Sequence, residues 1–153
     1  MNAIFLLKNK GDVAFLYDDY TIRQGLEKMR AHGYTAIPVI TKSGDYVGCI
    51  SEGDFLWHIV NSENNDIRSK EEIPVIEIMR ANFNPAVRID VSMGELLNRA
   101  KEQNFVPVTD DRNKFIGIIT RKDIIAYFQS VYEEAEIEQH KSNYRALTSA
   151  INI

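Results

Sequence analysis

Gly48-Cys49-Ile50-Ser51-Glu52-Gly53-Asp54 returns as Gly117-Ile118-Ile119-Thr120-Arg121-Lys122-Asp123, with glycine, hydroxyl and carboxylate each displaced by 69 residues. The prolines of Ile37-Pro38-Val39 and Val106-Pro107-Val108 keep the same displacement. A repeat this long within 153 residues predicts two copies of one α/β unit and little else.

Hydrophobic period then assigns the elements. In the first copy Val13 to Leu16 reads as a buried strand. Thr21 and Gln24 form a capping box, opening a helix whose stripe of Ile22, Leu26 and Met29 ends near Gly33. Ala36 to Ile40 and Tyr46 to Ile50 are strands joined by a turn at Lys42 to Asp45, and a helix follows from Glu52 to about Val60. The second copy repeats the plan: a strand at Ala86 to Ile89, a box at Ser92 and Glu95, a helix to about Gln103, and strands at Phe105 to Thr109 and Lys114 to Ile119. Val75 to Met79, after Pro74, predicts a short amphipathic helix leading into the second unit. The expected organisation is a first unit at 8–60, a polar linker at 61–74, a second unit at 75–130 and a helical extension with tail at 131–153.

The fold class is α+β. Each unit has a small three-stranded sheet with two helices, marginal alone because one sheet face stays wet. Packing the copies as a pseudo-two-fold pair buries both faces and leaves two equivalent clefts between them.

Composition narrows the function classes. The chain is 44% hydrophobic and 26% charged, with a net charge of −4 and no basic cluster, so nucleic acid is not an expected partner. Cys49 is the only cysteine, which excludes an internal disulfide, and it lies in an apolar run with no base implied nearby. His32, His58 and His140 have no metal-ligand spacing, so no metal site is expected. The apolar stretch Ala3 to Leu7 is too short for a signal peptide, and nothing approaches a membrane span. A cytoplasmic location is the expectation, with no membrane partner. No P-loop or dinucleotide fingerprint occurs.

The order strand–helix–strand–strand–helix, with glycine, two apolar residues, Ser/Thr and Asp at the last strand-to-helix turn, resembles the cystathionine-β-synthase (CBS) domain. The tandem pair over residues 8 to 130 resembles a Bateman module of the small stand-alone bacterial type. That resemblance implies a regulatory module, not an enzyme, binding an adenine nucleotide (AMP, ADP or ATP) in a cleft and requiring no other cofactor. It implies that the motif Asp takes the ribose hydroxyls and the Pro strand of the opposite copy holds the adenine. On this basis one site combines Thr120, Arg121, Lys122 and Asp123 with Tyr34, Thr35, Ala36 and the run Asp12 to Ala14. The weaker site combines Ser51, Gly53 and Asp54 with Asn104, Phe105 and Val87.

Electrostatics ranks the two. Both hydroxyls open helices, where free N–H groups attract anions. Arg121 and Lys122 add cations to one turn, whereas Glu52 and Gly53 occupy the other, so phosphate is expected at Thr120–Asp123. Plain helix capping explains Ser51/Asp54 and Thr120/Asp123 equally well taken singly, and the two roles are compatible. Cyclic di-AMP is an alternative ligand, and a ligand-free dimeric scaffold an alternative function. The resemblance further implies a homodimer joined through the helices carrying Phe55, Trp57 and Ile59 and carrying Ile124, Tyr127 and Phe128, acting on an unidentified downstream protein. For the tail 141–153, the readings are a frayed terminus or Tyr144, Leu147 and Ile151 docking on the module or a second subunit.

Overall fold

Two sheets carry the repeat in a computed structural model that describes residues 2–63 and 66–152. The strands are β1 (Lys8–Asn9), β2 (Leu16–Tyr17), β3 (Ala36–Ile40), β4 (Tyr46–Ser51), β5 (Val87–Arg88), β6 (Phe105–Thr109) and β7 (Phe115–Thr120). The helices are α1 (Ile22–His32), α2 (Glu52–Asn61), α3 (Met93–Glu102) and α4 (Arg121–Ile151). One sheet runs β2-β3-β4 and the other β1-β7-β6-β5. In each, a parallel pair (β2·β3, β5·β6) adjoins an antiparallel hairpin (β3·β4, β6·β7), with an irregularity at the same place, Val39/Ile40 and Val108/Thr109.

The strands β2 and β5 are shorter than their apolar runs, and the prolines explain why. Pro38 faces Cys49 and Pro107 faces Ile118 across the hairpins. Polar groups alternate sides along a strand, so Pro38 shares its orientation with Ile40, whose carbonyl accepts from Asp18 N–H toward the β2 side at 2.9 Å. Proline has no N–H to offer there. Pairing with β2 therefore starts only at Leu16↔Val39, and Val13 and Ala14 stay outside the sheet.

The leading segments cross over. Ala3, in a 3-10 turn at Ala3–Leu6, is buried in the second core with Val87, Leu96, Val106, Ile119 and Ile124, and β1 pairs antiparallel to β7. Val75 is buried in the first core with Leu16, Ile22, Ile37, Ile50 and Phe55. The expected helix at Val75 to Met79 is instead a 3-10 turn, Val75–Glu77, and it seals the first unit, not the second. It packs beside Gly25 of α1, where an added Cβ would stand 3.0 Å from Val75 Cγ1. Matching one-residue bridges, Asn2↔Ser92 and Pro74↔Thr21, tie each leader to the helix start of the unit it completes. At α1 the full capping box forms; at α3 the Ser92 hydroxyl accepts from Glu95 N–H at 3.2 Å. The segment between the units includes a 3-10 turn at Ile67–Glu71, joined to α1 by the Arg23–Glu71 ion pair, with Lys70 buried against His58 and Ser62.

A pseudo-two-fold axis passes between Asp45 and Lys114, which occupy equivalent positions in the two repeats. Tyr46 N–H donates to Asn113 O (3.0 Å) and Phe115 N–H to Gly44 O (2.9 Å), while Lys114 Nζ donates to Asp45 Oδ1 (2.7 Å). The Lys114 hydrogen bond, with help from Ser43 and Thr41, holds the Asp45 carboxyl below its ordinary range despite partial desolvation. A lowered carboxyl contributes stability that is present above the free value, about 3.9, and lost as pH falls through its folded value. On acidification below about pH 4, the melting temperature of Asp45→Asn is expected to fall less steeply than that of the parent chain. The difference is small because both side chains are well exposed and screened. Equal slopes in a calorimetric pH series would refute this.

Helix α4 runs on to Ile151, 31 residues in all, and from Phe128 onward every described residue on it is exposed. The tail is thus neither frayed nor docked on its own module. Phe55 and Ile124, expected at a dimer face, are core residues; the outward faces of α2 and α4 present Leu56, Trp57 and Val60, and Ile125 and Phe128. The inward side of each amphipathic helix is consumed by the sheet it covers.

Candidate functional site

Each motif folds as a helix cap built on the end of a hairpin strand. Ser51 and Thr120 end β4 and β7 in extended backbone, and their hydroxyls accept from the N–H groups of Asp54 (3.3 Å) and Asp123 (3.1 Å). The carbonyls of Thr35 and Asn104, at equivalent positions, accept the first helical N–H groups, those of Glu52 and Arg121, at 2.9 Å each. Local sequence therefore makes the two motifs alike. Their cation partners, which arrive from the crossed leaders, make them different.

At the first motif the carboxylate is closed. Asp54 Oδ2 accepts from Ser51 N–H (2.8 Å) and the Ser51 hydroxyl (3.1 Å), and Oδ1 accepts from Arg80 Nε (2.7 Å). Arg80 Nη2 also donates to Ser51 Oγ (2.9 Å), and its guanidinium lies 4.2 Å from the centroid of the Phe83 ring. The Asp54 side chain is 2% exposed. No acceptor atom of this carboxylate faces an open cleft.

At the second motif the carboxylate is open. Asp123 Oδ2 accepts from the Thr120 hydroxyl (2.7 Å) and lies 3.2 Å from Lys8 Nζ, with 31% of its side chain exposed and 49% of that of Lys8. The Thr120 hydrogen bond, then Lys8 and Lys122, hold its carboxyl below the ordinary range. Beside it lies a cavity of about 260 Å³. The leader contributes Lys8, Asp12, Val13 and Ala14; the first hairpin Tyr34, Ala36 and Pro38; the second repeat Asn104, Phe105, Ile118 and Thr120. The gap exists because Pro38 keeps Val13 and Ala14 off the sheet.

Of the residues expected at this site, Thr120, Tyr34, Ala36, Ala14 and Asp12 line the cavity, and Asp123 stands next to it through Lys8 and Thr120. Lys122 is exposed and close enough to influence the Asp123 carboxyl. Arg121 is turned away. Its guanidinium donates to the Ala100 carbonyl (2.6 Å) and, more weakly, to that of Lys101 (3.5 Å), closing the C-terminal end of α3 where a cation is favourable. Thr35 is exposed and engaged through its carbonyl rather than lining the cavity.

The residues expected at the other cleft separate. Asn104 and Phe105 line the same cavity as Tyr34, Val87 is buried in the second core, and only Ser51, Gly53 and Asp54 remain together on the first motif. Lys8 and Arg80 were missed by the sequence reading. Each precedes the first strand of its repeat by a similar interval, but Lys10 lies in the same stretch as Lys8, and spacing alone does not choose between them.

Burial pushes the Cys49 thiol up to about 12, so it stays protonated and inert. The Tyr46 phenol, also pushed up by burial, donates to Asn84 O at 2.6 Å. Among the described residues no cluster of His, Cys, Asp or Glu could hold a metal ion, and no helix is long and apolar enough to cross a membrane.

The sequence pattern of the CBS domain matches residues 9–61 and 75–130. The chain belongs to the CBS domain family. A solved structure of CbpB in complex with c-di-AMP superposes on this CBS pair with a TM-score of 0.82 at 24% identity, covering 90% of this chain and 91% of the other. CBSX2 in complex with AMP superposes with a TM-score of 0.69 at 20% identity, covering 86% and 98%. At these identities the likeness is one of fold. An uncharacterised protein of Methanopyrus kandleri is 30% identical over 125 residues, 77% of this chain and 58% of that protein, so the CBS pair spans little more than half of that relative.

Proposed function

We propose that this CBS pair is a non-catalytic regulatory module that senses an adenine nucleotide in the Thr120–Asp123 cleft, pairs as a homodimer and passes its state to a downstream protein in the cytoplasm. The observation that carries the reading is the difference between the motif carboxylates: Asp54 is sealed by Arg80, whereas Asp123 is partly exposed, held by Thr120 and a half-exposed lysine, and lies next to the cavity that those two residues line. In that cleft Asp123 would accept the ribose hydroxyls. Lys8, Lys122 and the N-terminus of α4 would face the phosphate, and Tyr34, Ala36 and Phe105 would border the adenine. Support for adenine comes from the family resemblance and from structurally similar proteins that bind AMP or c-di-AMP.

A cavity of about 260 Å³ lies just below the roughly 300–1,000 Å³ usual for small-molecule sites, which favours a mononucleotide over a dinucleotide. Cyclic di-AMP is the second reading, favoured by the close superposition on CbpB and by Ala36 and Phe105, equivalent residues of the two repeats, meeting in one cavity.

A thermal-shift panel of AMP, ADP, ATP, cyclic di-AMP and GTP tests both. A ligand at about 100-fold excess over its Kd adds about 2.7 kcal/mol, a rise of roughly 5–10 °C at this chain length. Asp123→Asn is expected to weaken the responding ligand roughly tenfold to a hundredfold, as for hydrogen bonds to a charged group. A silent panel would leave the ligand-free scaffold, and a full response in Asp123→Asn would move the site elsewhere.

A further inference from the structure

The outer part of α4 carries a seam of its own. Beyond Ser130 every described residue of the helix is exposed, yet it holds Ile137, Tyr144, Leu147 and Ile151, which are 53–81% exposed. Their spacing of seven, three and four residues places Ile137, Tyr144 and Ile151 at a and Leu147 at d of one heptad register. At 100° per residue this stripe is turned about 110° around the helix axis from Ile125, Phe128 and Tyr132, so it is a separate surface. Long helices draw most of their stability from packing an apolar face, and nothing in the module reaches this one.

Charge chooses the occupant. The same register puts Glu136 at g and Lys141 at the following e, the pair that meets between chains in a parallel, in-register coiled coil. Both side chains are exposed and engaged only within the helix, Glu136 accepting from the Tyr132 hydroxyl (3.0 Å) and Lys141 donating to Glu138 (3.3 Å). The antiparallel register that stacks Ile137 on Leu147 of a second copy would bring the two Lys141 side chains together. We propose that residues 136–151 of α4 form a parallel two-stranded coiled coil with the same segment of a second copy of this chain. His140 falls at d, and Glu133 at the d position just before the segment; polar and charged residues there lower stability, so the pairing is weak alone, begins after Glu133 and relies on the attached modules being brought together.

Oxidative crosslinking tests this on the full chain, because Cys49 is buried and silent. Ile151→Cys is expected to give a covalent dimer. Adding Leu147→Glu should abolish it, and His140→Leu should increase it. Lys141→Glu should weaken crosslinking, and the compensating Glu136→Lys should restore it. Absence of crosslinking by Ile151→Cys, or crosslinking unaffected by Leu147→Glu, would overturn the proposal. Failure of the charge swap to restore it would overturn the parallel register.

Discussion

Gly117→Ala is expected to lower the melting temperature by about 12 °C, corresponding to about 4 kcal/mol at this chain length. Gly117 has φ +154°, outside the range side-chain-bearing residues usually adopt, and an added Cβ would stand 2.0 Å from the backbone oxygen of Lys8. Strained backbone costs about 1–3 kcal/mol. The clash adds more, because its partner is a strand backbone that cannot rotate aside. β1 would be driven off β7, and Ala3, Ile4, Leu6 and Leu7 would loosen from the second core. The equivalent Gly48→Ala supplies the control. Its φ is similar at +159°, but its added Cβ would meet only the flexible end of Met79, at 3.0 Å. Differential scanning calorimetry of both variants should show a clearly larger loss for Gly117→Ala. Equal losses would mean that β1 contributes nothing to the second unit.

Arg80→Ala is expected to cost about 2–3 kcal/mol, below the roughly 3–5 kcal/mol typical of breaking a buried ion pair. The Asp54 carboxylate is 2% exposed and would lose its only charge partner given by the structure. Two features limit the loss: Asp54 keeps the Ser51 hydrogen bonds, and Arg80, itself 58% exposed, leaves a space that water can enter. The same substitution uncovers the acceptor atoms of the first motif. Calorimetric titration with the nucleotide that responds in the panel should then change from one site per chain toward two. Unchanged stability would show the Arg80 contact to be incidental. Unchanged stoichiometry with lowered stability would show that Arg80 supports the cap without gating the cleft.

The ranking of the clefts illustrates how far residues alone can be read. Arg121 and Lys122 against Glu52 and Gly53 pointed to the Thr120–Asp123 side, and the open carboxylate does lie there. The cause is different. Arg121 is committed to α3 carbonyls, and the asymmetry comes from Arg80 sealing Asp54 while Lys8 covers Asp123 only loosely. Charge at a helix start is visible in sequence; the direction of a long side chain is not, because it depends on which carbonyls lie within reach. The prolines carried more than was taken from them. Pro38 and Pro107 mark the repeat, but their missing N–H groups also end the parallel pairing in each sheet, and at Pro38 this leaves the cavity beside Ala14.

Short-range chemistry determined the duplication, the hairpins, the capped helices and the side of each element that turns inward, because period and capping are properties of neighbouring residues. Only the tertiary structure decided where the leaders go: Ala3 and β1 to the second unit, Val75 and Arg80 to the first. A hydrophobic stripe specifies that a segment must be buried but not against which of two nearly identical partners. That choice brings Arg80 to Asp54 and Lys8 to Asp123, and with it makes one motif a sealed cap and the other the border of an open cavity.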